Sequence, residues 1–360
     1  MGKIKRLPTG ISQFRSISDS NLYYVDKTMY LPKMEAVSDF LFFIRPRRFG
    51  KSLFLSMVAD YYDCENYKDI DEEFQGTWIA EHPLETKGKF QVLSLDFSQV
   101  AGCADNLQDA FHVYLGIKID AFLRKYGKYY SQKAIEAAHN APTAGGKIAA
   151  FVGEAKEKGY QLYLIIDEYD NFTNVVLNEQ GHDVYHEMTH GSGFYRDVFK
   201  TFKPNFTRIL FMGVSPITLD DLTSGFNIAT NISIDSWFND LLGFSETDVR
   251  KMISYYQDAG MIKKTADEVI AEMKPWYDNY CFAEDSFGVE PSMYNSNMVI
   301  YYMSLLIRTG RSPKDMRDPN SKTDYAKMKR LVRLDRLDGD RKGVVRTIAE
   351  QGYIDATIET

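Results

Sequence analysis

Apolar residues of this chain gather in short runs bounded by polar segments, and the longer segments between those runs read as helical. The runs Phe40–Ile44, Val92–Phe97, Leu162–Ile166 and Ile209–Val214 predict four buried strands of a parallel sheet. Helices are predicted over Leu53–Tyr62, Asn106–Tyr126 and Ile148–Glu157. After about Ile234 the pattern becomes helical and rich in aromatic residues. Ser245-Glu-Thr-Asp248 has the spacing of a capping box and opens a helix to Asp258. Asp278–Phe282 and Pro291–Asn295 read as turns, and Met298–Ile307 as another helix. The expected organisation is a domain of the α/β class over residues 1–235, its mostly parallel sheet flanked by helices. A small C-terminal helical domain over 236–310 and a basic linker or appendage over 311–360 follow.

The first strand leads into the most informative segment, Arg45-Pro-Arg-Arg-Phe-Gly-Lys-Ser52, ahead of the helix Leu53–Tyr62. A strand, a turn and a helix beginning at Gly-Lys-Ser make a cradle for phosphate. Backbone N–H groups face the anion, Lys51 neutralises the β/γ oxygens, and the Ser52 hydroxyl joins a Mg²⁺ shell. The usual pattern begins with Gly, and here that position is Arg45. Followed by Pro46, Arg45 is biased toward extended backbone, so the loop is expected to enclose phosphate less completely. Arg47 and Arg48 either add positive charge beside the phosphates or pair with Asp167 or Asp170. Phe49, Gly50 and Leu53 complete the candidate cofactor-binding set. The third strand ends in Asp167-Glu168. Asp167 would hold Mg²⁺ through water, and Glu168 would orient or deprotonate the attacking water. Loop and acids together make the expected α/β domain over 1–235 a P-loop NTPase.

With 360 residues, 44% hydrophobic and 26% charged, the chain has an ordinary globular composition. No apolar run approaches ~18 residues, so no transmembrane helix and no membrane partner is expected. The basic start lacks the apolar stretch of a signal peptide, which makes the cytoplasm the default compartment. Cys64, Cys103 and Cys281 are too scattered for a disulfide framework or a CxxC metal site. The net charge of −7 conceals a split: Arg308–Arg346 carries thirteen basic and six acidic residues, so the remainder sums to −14. That stretch is either a solvated face or a footprint for nucleic acid.

Several segments together resemble the predicted AAA-ATPase-like proteins of bacteria. They are Leu7-Pro-Thr-Gly-Ile11, Tyr24-Val-Asp-Lys-Thr28, the Phe42–Ser52 loop, Ile166-Asp-Glu-Tyr-Asp170, Gly213-Val-Ser-Pro-Ile217 and Leu222-Thr-Ser-Gly-Phe-Asn227. The resemblance covers roughly residues 7–350, and Arg-Pro-Arg-Arg-Phe-Gly-Lys-Ser is that family's own form of the loop. It implies ATP and Mg²⁺ as cofactors, with Lys51 on the phosphates, Ser52 and Asp167 around the metal, and Glu168 at the water. It also puts Ser215 where related ATPases keep a polar sensor near the γ-phosphate; a turn serine before Pro216 is the plain alternative. Such proteins are typically fused to a C-terminal PD-(D/E)XK-type nuclease. This chain stops where the nuclease would begin, and its Glu-x-Lys triplets (Glu85–Lys87, Glu154–Lys156) are at chance level. The expected function is therefore ATP binding with slow Mg²⁺-dependent hydrolysis, a switch for a nuclease or other partner module. A nucleotide-binding scaffold that does not hydrolyse is the alternative, and a homo-oligomer supplying an arginine in trans stays open.

Three features compete with this reading. His186-Glu-Met-Thr-His190 matches the zinc-hydrolase pattern H-E-x-x-H. The longer template fails at its last position, Arg196, and the segment falls where a crossover helix is needed, so a solvated histidine stripe is expected. Asp26-Lys27 either caps a helix or touches nucleotide, and the cap is favoured. The doublets Tyr61-Tyr62, Tyr129-Tyr130, Tyr255-Tyr256 and Tyr301-Tyr302 read as packing rather than base-stacking residues.

Overall fold

The computed structural model describes residues 3–66, 69–100, 107–179, 182–189, 194–215, 229–289 and 292–319. Cys103, the Pro216–Ile217 and Leu222–Asn227 parts of the motifs, His190–Gly193, and the basic stretch beyond residue 319 lie outside them.

Five parallel strands form the sheet: β1 (Phe40–Ile44), β2 (Phe90–Asp96), β3 (Gln161–Asp167), β4 (Arg208–Gly213) and β5 (Thr230–Asn231), in the order β2-β3-β4-β1-β5. All four expected strands are present, β1 with its predicted bounds and the other three with ends moved by one or two residues. Near-continuous apolar runs are what strands covered on both faces require. On one side pack α1 (Arg15–Asp19), α2 (Tyr30–Val37), α3 (Lys51–Tyr62), α4 (Ile70–Glu73) and α5 (Trp78–Glu81). The other side carries α6 (Leu107–Tyr126), α7 (Gln132–Asn140), α8 (Ala144–Glu157), α9 (Asn171–Glu179), α10 (His182–Thr189) and α11 (Phe194–Phe202). β1 shows how alternation divides the two cores: Phe42 belongs to one cluster, Leu41 and Phe43 to the other.

A third apolar cluster is built from α12 (Glu246–Asp258), α13 (Ala266–Tyr277) and α14 (Ser296–Thr309). The expected capping box at the start of α12 is complete. Ser245 Oγ accepts from Asp248 N at 3.1 Å, and Asp248 Oδ2 accepts from Ser245 N at 3.0 Å. Between the last two helices the structure corrects the sequence reading. Instead of two turns there are two short strands, β6 (Asp278–Tyr280) and β7 (Met293–Tyr294), paired antiparallel. Two and three residues are too short to give a legible alternation, so only their pairing reveals them.

Asp26 also differs from expectation. It accepts from Thr28 N at 2.8 Å and from Trp78 N at 2.6 Å, while α2 begins at Tyr30. It closes a local turn and ties it to the start of α5, rather than capping the helix that follows. The tyrosine doublets are packing residues at Tyr61-Tyr62, where both rings are buried, consistent with the reading from sequence.

Candidate functional site

β1 and β3 both end on the same rim of the sheet, with β4 between them. Parallel sheets bind ligands in the crevice beyond the carboxyl ends of their strands. A cleft of about 440 Å³ opens at that rim, lined by Arg47–Phe54 and Glu168. Its far wall comes from the N-terminal segment (Gly10, Ile11, Tyr24) and from Leu242, Phe244, Met252 and Ile300. The cleft is thus polar where the loop lies and apolar beyond it, and its volume is in the range of small-molecule sites.

Gly50 opens α3 in the left-handed region, φ +93°, which only glycine adopts freely. Arg48 shares that region at φ +73°. The conformational freedom of the turn is therefore needed at residues 48 and 50, not at Arg45. Arg45 N donates to Gly213 O at 3.2 Å and simply continues the β1–β4 ladder. Its side chain turns inward and is 2% exposed. The guanidinium donates to Ile44 O (2.8 Å), Ser233 O (2.7 Å) and Phe238 O (2.8 Å), between the rings of Phe43 and Phe282. Burial pushes its pKa down to about 9. In place of a flexible glycine the loop begins with an arginine bolted under the sheet.

Lys51 is also buried. Its ammonium donates to the carbonyls of Arg45 (3.1 Å) and Pro46 (3.2 Å), across its own loop. Burial lowers its pKa, while the carboxylates of Glu168, Asp167 and Asp170 pull the other way. Ser52 Oγ donates to Asp167 Oδ2 at 2.5 Å, joining residues 115 positions apart. Burial raises the pKa of Asp167, and that hydrogen bond opposes the shift. Glu168 also has a raised pKa, from burial first and from the nearby charges of Asp167 and Asp170. It lines the cleft, and its backbone is left-handed at φ +50°. Hydroxyl and carboxylate oxygens are the ligands Mg²⁺ prefers, and two from protein leave room for waters and phosphate oxygens. Ser52 and Asp167 therefore fit that ion.

The remaining candidates divide. Leu53, Arg47 and Arg48 line the cleft. Arg48 forms an ion pair with Asp318 at 3.6 Å, a partner that sequence reasoning did not consider. Phe49 lines the cleft too, but its ring is buried edge-on against Tyr280 and Phe282, 4.8 and 5.5 Å between ring centres. Ser215 does not line the cleft; its N–H and carbonyl are engaged by Asp170 and Tyr169. Lys27 does line it, and donates to Asp240 O (3.0 Å) and to Asp248 Oδ2 (3.2 Å). On α10, Tyr185, Met188 and Thr189 are buried while His186 and Glu187 face solvent. Among the described residues no cluster of three or more His, Cys, Asp or Glu is arranged to hold a metal.

Sequence reasoning missed the residues that grip the loop from the C-terminal side. Ser296 Oγ donates to Arg48 O at 3.1 Å, Asn297 N to the same carbonyl at 3.3 Å, and Asn295 Nδ2 to Arg47 O at 3.5 Å. Gly243 N donates to Phe49 O at 3.3 Å, and a Cβ at Gly243 would stand 2.9 Å from the Phe49 ring. The run Asn295-Ser-Asn297 carries the signal of a helix start and nothing that marks a loop contact.

The sheet order, the helix opening at Gly50 and the acid-tipped strand define an α/β protein of the P-loop type. The chain belongs to the AAA-ATPase-like family, described as "Predicted AAA-ATPase", which it matches over residues 8–223. A protein of Azotobacter chroococcum mcd 1, named as an uncharacterized protein in the vnfD 5′ region, is 27% identical over 279 residues. That stretch is 77% of this chain and 48% of the Azotobacter protein, so the chain spans about half the length of that relative. The ORC2 protein of Aeropyrum pernix, solved as ADPNP-ADP complexes, aligns with a TM-score of 0.40 and 13% identity, over 97% of this chain and 77% of that one. No helix among the described residues is long and apolar enough to cross a membrane.

Proposed function

We propose that the protein binds ATP with Mg²⁺ in the 440 Å³ cleft and hydrolyses it slowly, the cycle serving as a conformational switch for a nuclease or other partner module. The observation that carries this reading is the Ser52–Asp167 hydrogen bond beside Lys51. It brings the loop hydroxyl and the strand acid together where a phosphate-bound cation needs both.

The phosphates would lie over the backbone of Arg47–Leu53, with Lys51 leaving its loop carbonyls for phosphate oxygens. Bound Mg²⁺ would neutralise charge on the β- and γ-oxygens. Glu168 would orient the water for in-line attack, its raised proton affinity suiting a group that accepts a proton. Ser215, two residues past β4 and outside the lining of the cleft, would reach the γ-phosphate only if its turn shifts when nucleotide binds. The base would fill the apolar end among Ile11, Tyr24, Leu242 and Ile300. Arg48 would exchange Asp318 for phosphate.

The test is the thermal midpoint with Mg·ATP, Mg·GTP and no ligand, for the wild type and Lys51→Ala, with phosphate release followed in parallel. A rise with ATP, abolished in Lys51→Ala and accompanied by phosphate release, is the expected result. A rise without phosphate release would select the non-hydrolysing scaffold. No rise with either nucleotide would end the proposal.

A further inference from the structure

Glu168 sits in a backbone conformation that a glutamate rarely adopts, φ +50°. Such a residue stays there only when its surroundings overdetermine it. The residues that do so are the two that follow. Tyr169 N donates to Met212 O at 3.3 Å, its hydroxyl donates to Ser215 O, and its own carbonyl accepts from Tyr195 at 2.5 Å. The Tyr169 ring is fully buried under the end of β4, in the space a side chain at position 213 would occupy. A Cβ on Gly213 would come within 2.5 Å of Asp170 Oδ1 and closer still to that ring.

Asp170, 1% exposed, completes the fastening. Its carboxylate accepts from Val214 N (3.1 Å), Ser215 N (2.9 Å) and Asn174 Nδ2 (2.9 Å). A buried carboxylate is thus spent on two consecutive backbone donors past β4 and on the first turns of α9. A plain strand-to-helix connection needs neither a left-handed glutamate nor a buried acid. Both are explained if the turn must present one side chain, and Glu168 is the residue of this turn that lines the cleft.

We propose that Tyr169 and Asp170 are positioning residues that hold Glu168 in its strained backbone and aim its carboxylate into the cleft, an assignment that rests on the hydrolytic reading above. They touch no nucleotide and act only through the turn and the end of β4.

The experiment uses the full chain and the variants Tyr169→Phe and Asp170→Asn. It measures steady-state phosphate release from Mg·ATP and the Kd for Mg·ADP by calorimetry. Misplacing a reacting group by about 1 Å costs on the order of 100-fold, so kcat should fall roughly 100-fold in Asp170→Asn and about 10-fold in Tyr169→Phe. KM and Kd should stay within about 2-fold, because the phosphate loop is untouched. In a Glu168→Gln background, Tyr169→Phe should change kcat no further, since the residue it positions is already gone. Tyr169→Phe removes one hydroxyl and decides the matter alone if Asp170→Asn does not fold. Wild-type kcat in a folded Tyr169→Phe, a parallel fall of kcat and affinity, or full additivity with Glu168→Gln would overturn the inference and leave the ATPase reading standing. A wild type that binds nucleotide and releases no phosphate would overturn both.

Discussion

The two halves of the polar end of the cleft are fastened in opposite ways. The acid turn, Asp167–Asp170, is held by its own sheet: by β4 next to it and by α9 and α11 that follow. The phosphate loop, Arg45–Gly50, is held largely from elsewhere, by residues 233–297 that close over it from the C-terminal side. The first arrangement fixes the angle of the Glu168 turn as rigidly as the sheet itself. The second makes the shape of the loop depend on how the helical cluster of α12–α14 sits. Under the proposed switch, a ligand that reshapes the loop would act on that cluster.

Substitutions can break this comparison, beginning with the largest. Arg45→Ala would strip the guanidinium from the carbonyls of Ile44, Ser233 and Phe238 and leave a gap between two rings. The expected loss is about 3 kcal/mol, read as a lower denaturation midpoint. A variant as stable as wild type would show that the bolt contributes nothing. Gly213→Ala drives a methyl into the Tyr169 ring and the Asp170 carboxylate, and should cost about 2 kcal/mol while lowering kcat more than affinity. Gly243→Ala combines a left-handed backbone, φ +87°, with contacts at 2.9 Å to Phe49 and 3.0 Å to Tyr294 O. It should weaken nucleotide binding roughly 10-fold, about 1.4 kcal/mol, with kcat at saturation little changed. If Gly243→Ala instead lowered kcat alone, the division between grip and angle would be wrong. Ser296→Ala removes a single hydrogen bond to Arg48 O and should weaken binding about 3-fold on the ordinary scale of such bonds.

A separate effect is one of pH and belongs to neither half. Burial, and next the charge of Asp60 on α3, push Glu73 up to about 8. The folded chain then holds a proton that the unfolded chain has lost, so stability is highest in acid and declines as pH rises toward 8. The slope is at most about 1.4 kcal/mol per unit. Glu73→Gln should flatten a plot of thermal midpoint against pH between about 5 and 8. An unchanged slope would show that Glu73 is not the group responsible.

The strands and the loop were legible because their signal is local. Phe40–Ile44 and Leu162–Ile166 are apolar throughout, as strands covered on both faces must be. Gly50-Lys-Ser52 and Asp167-Glu168 then sit where such strands end. What the sequence left hidden is of another kind. Arg45 departs from the usual start of a phosphate loop, and its acceptors Ser233 and Phe238 lie some 190 positions away. Phe49 is a candidate ligand contact in the sequence, and nothing near it in the chain announces its packing on Tyr280 and Phe282.

By itself the sequence determined the periodicity, the four long strands and their connecting helices, and which residues are candidates for the chemistry of the site. Those follow from backbone sterics and from side chains a few positions apart. Only the tertiary structure decided the spatial order β2-β3-β4-β1-β5, the contact of Ser52 with Asp167, and the grip of Asn295–Asn297 on the loop. Each of these depends on closing long stretches of chain, and what stabilises the closure is burial and hydrogen bonding that exist only once the layers have met.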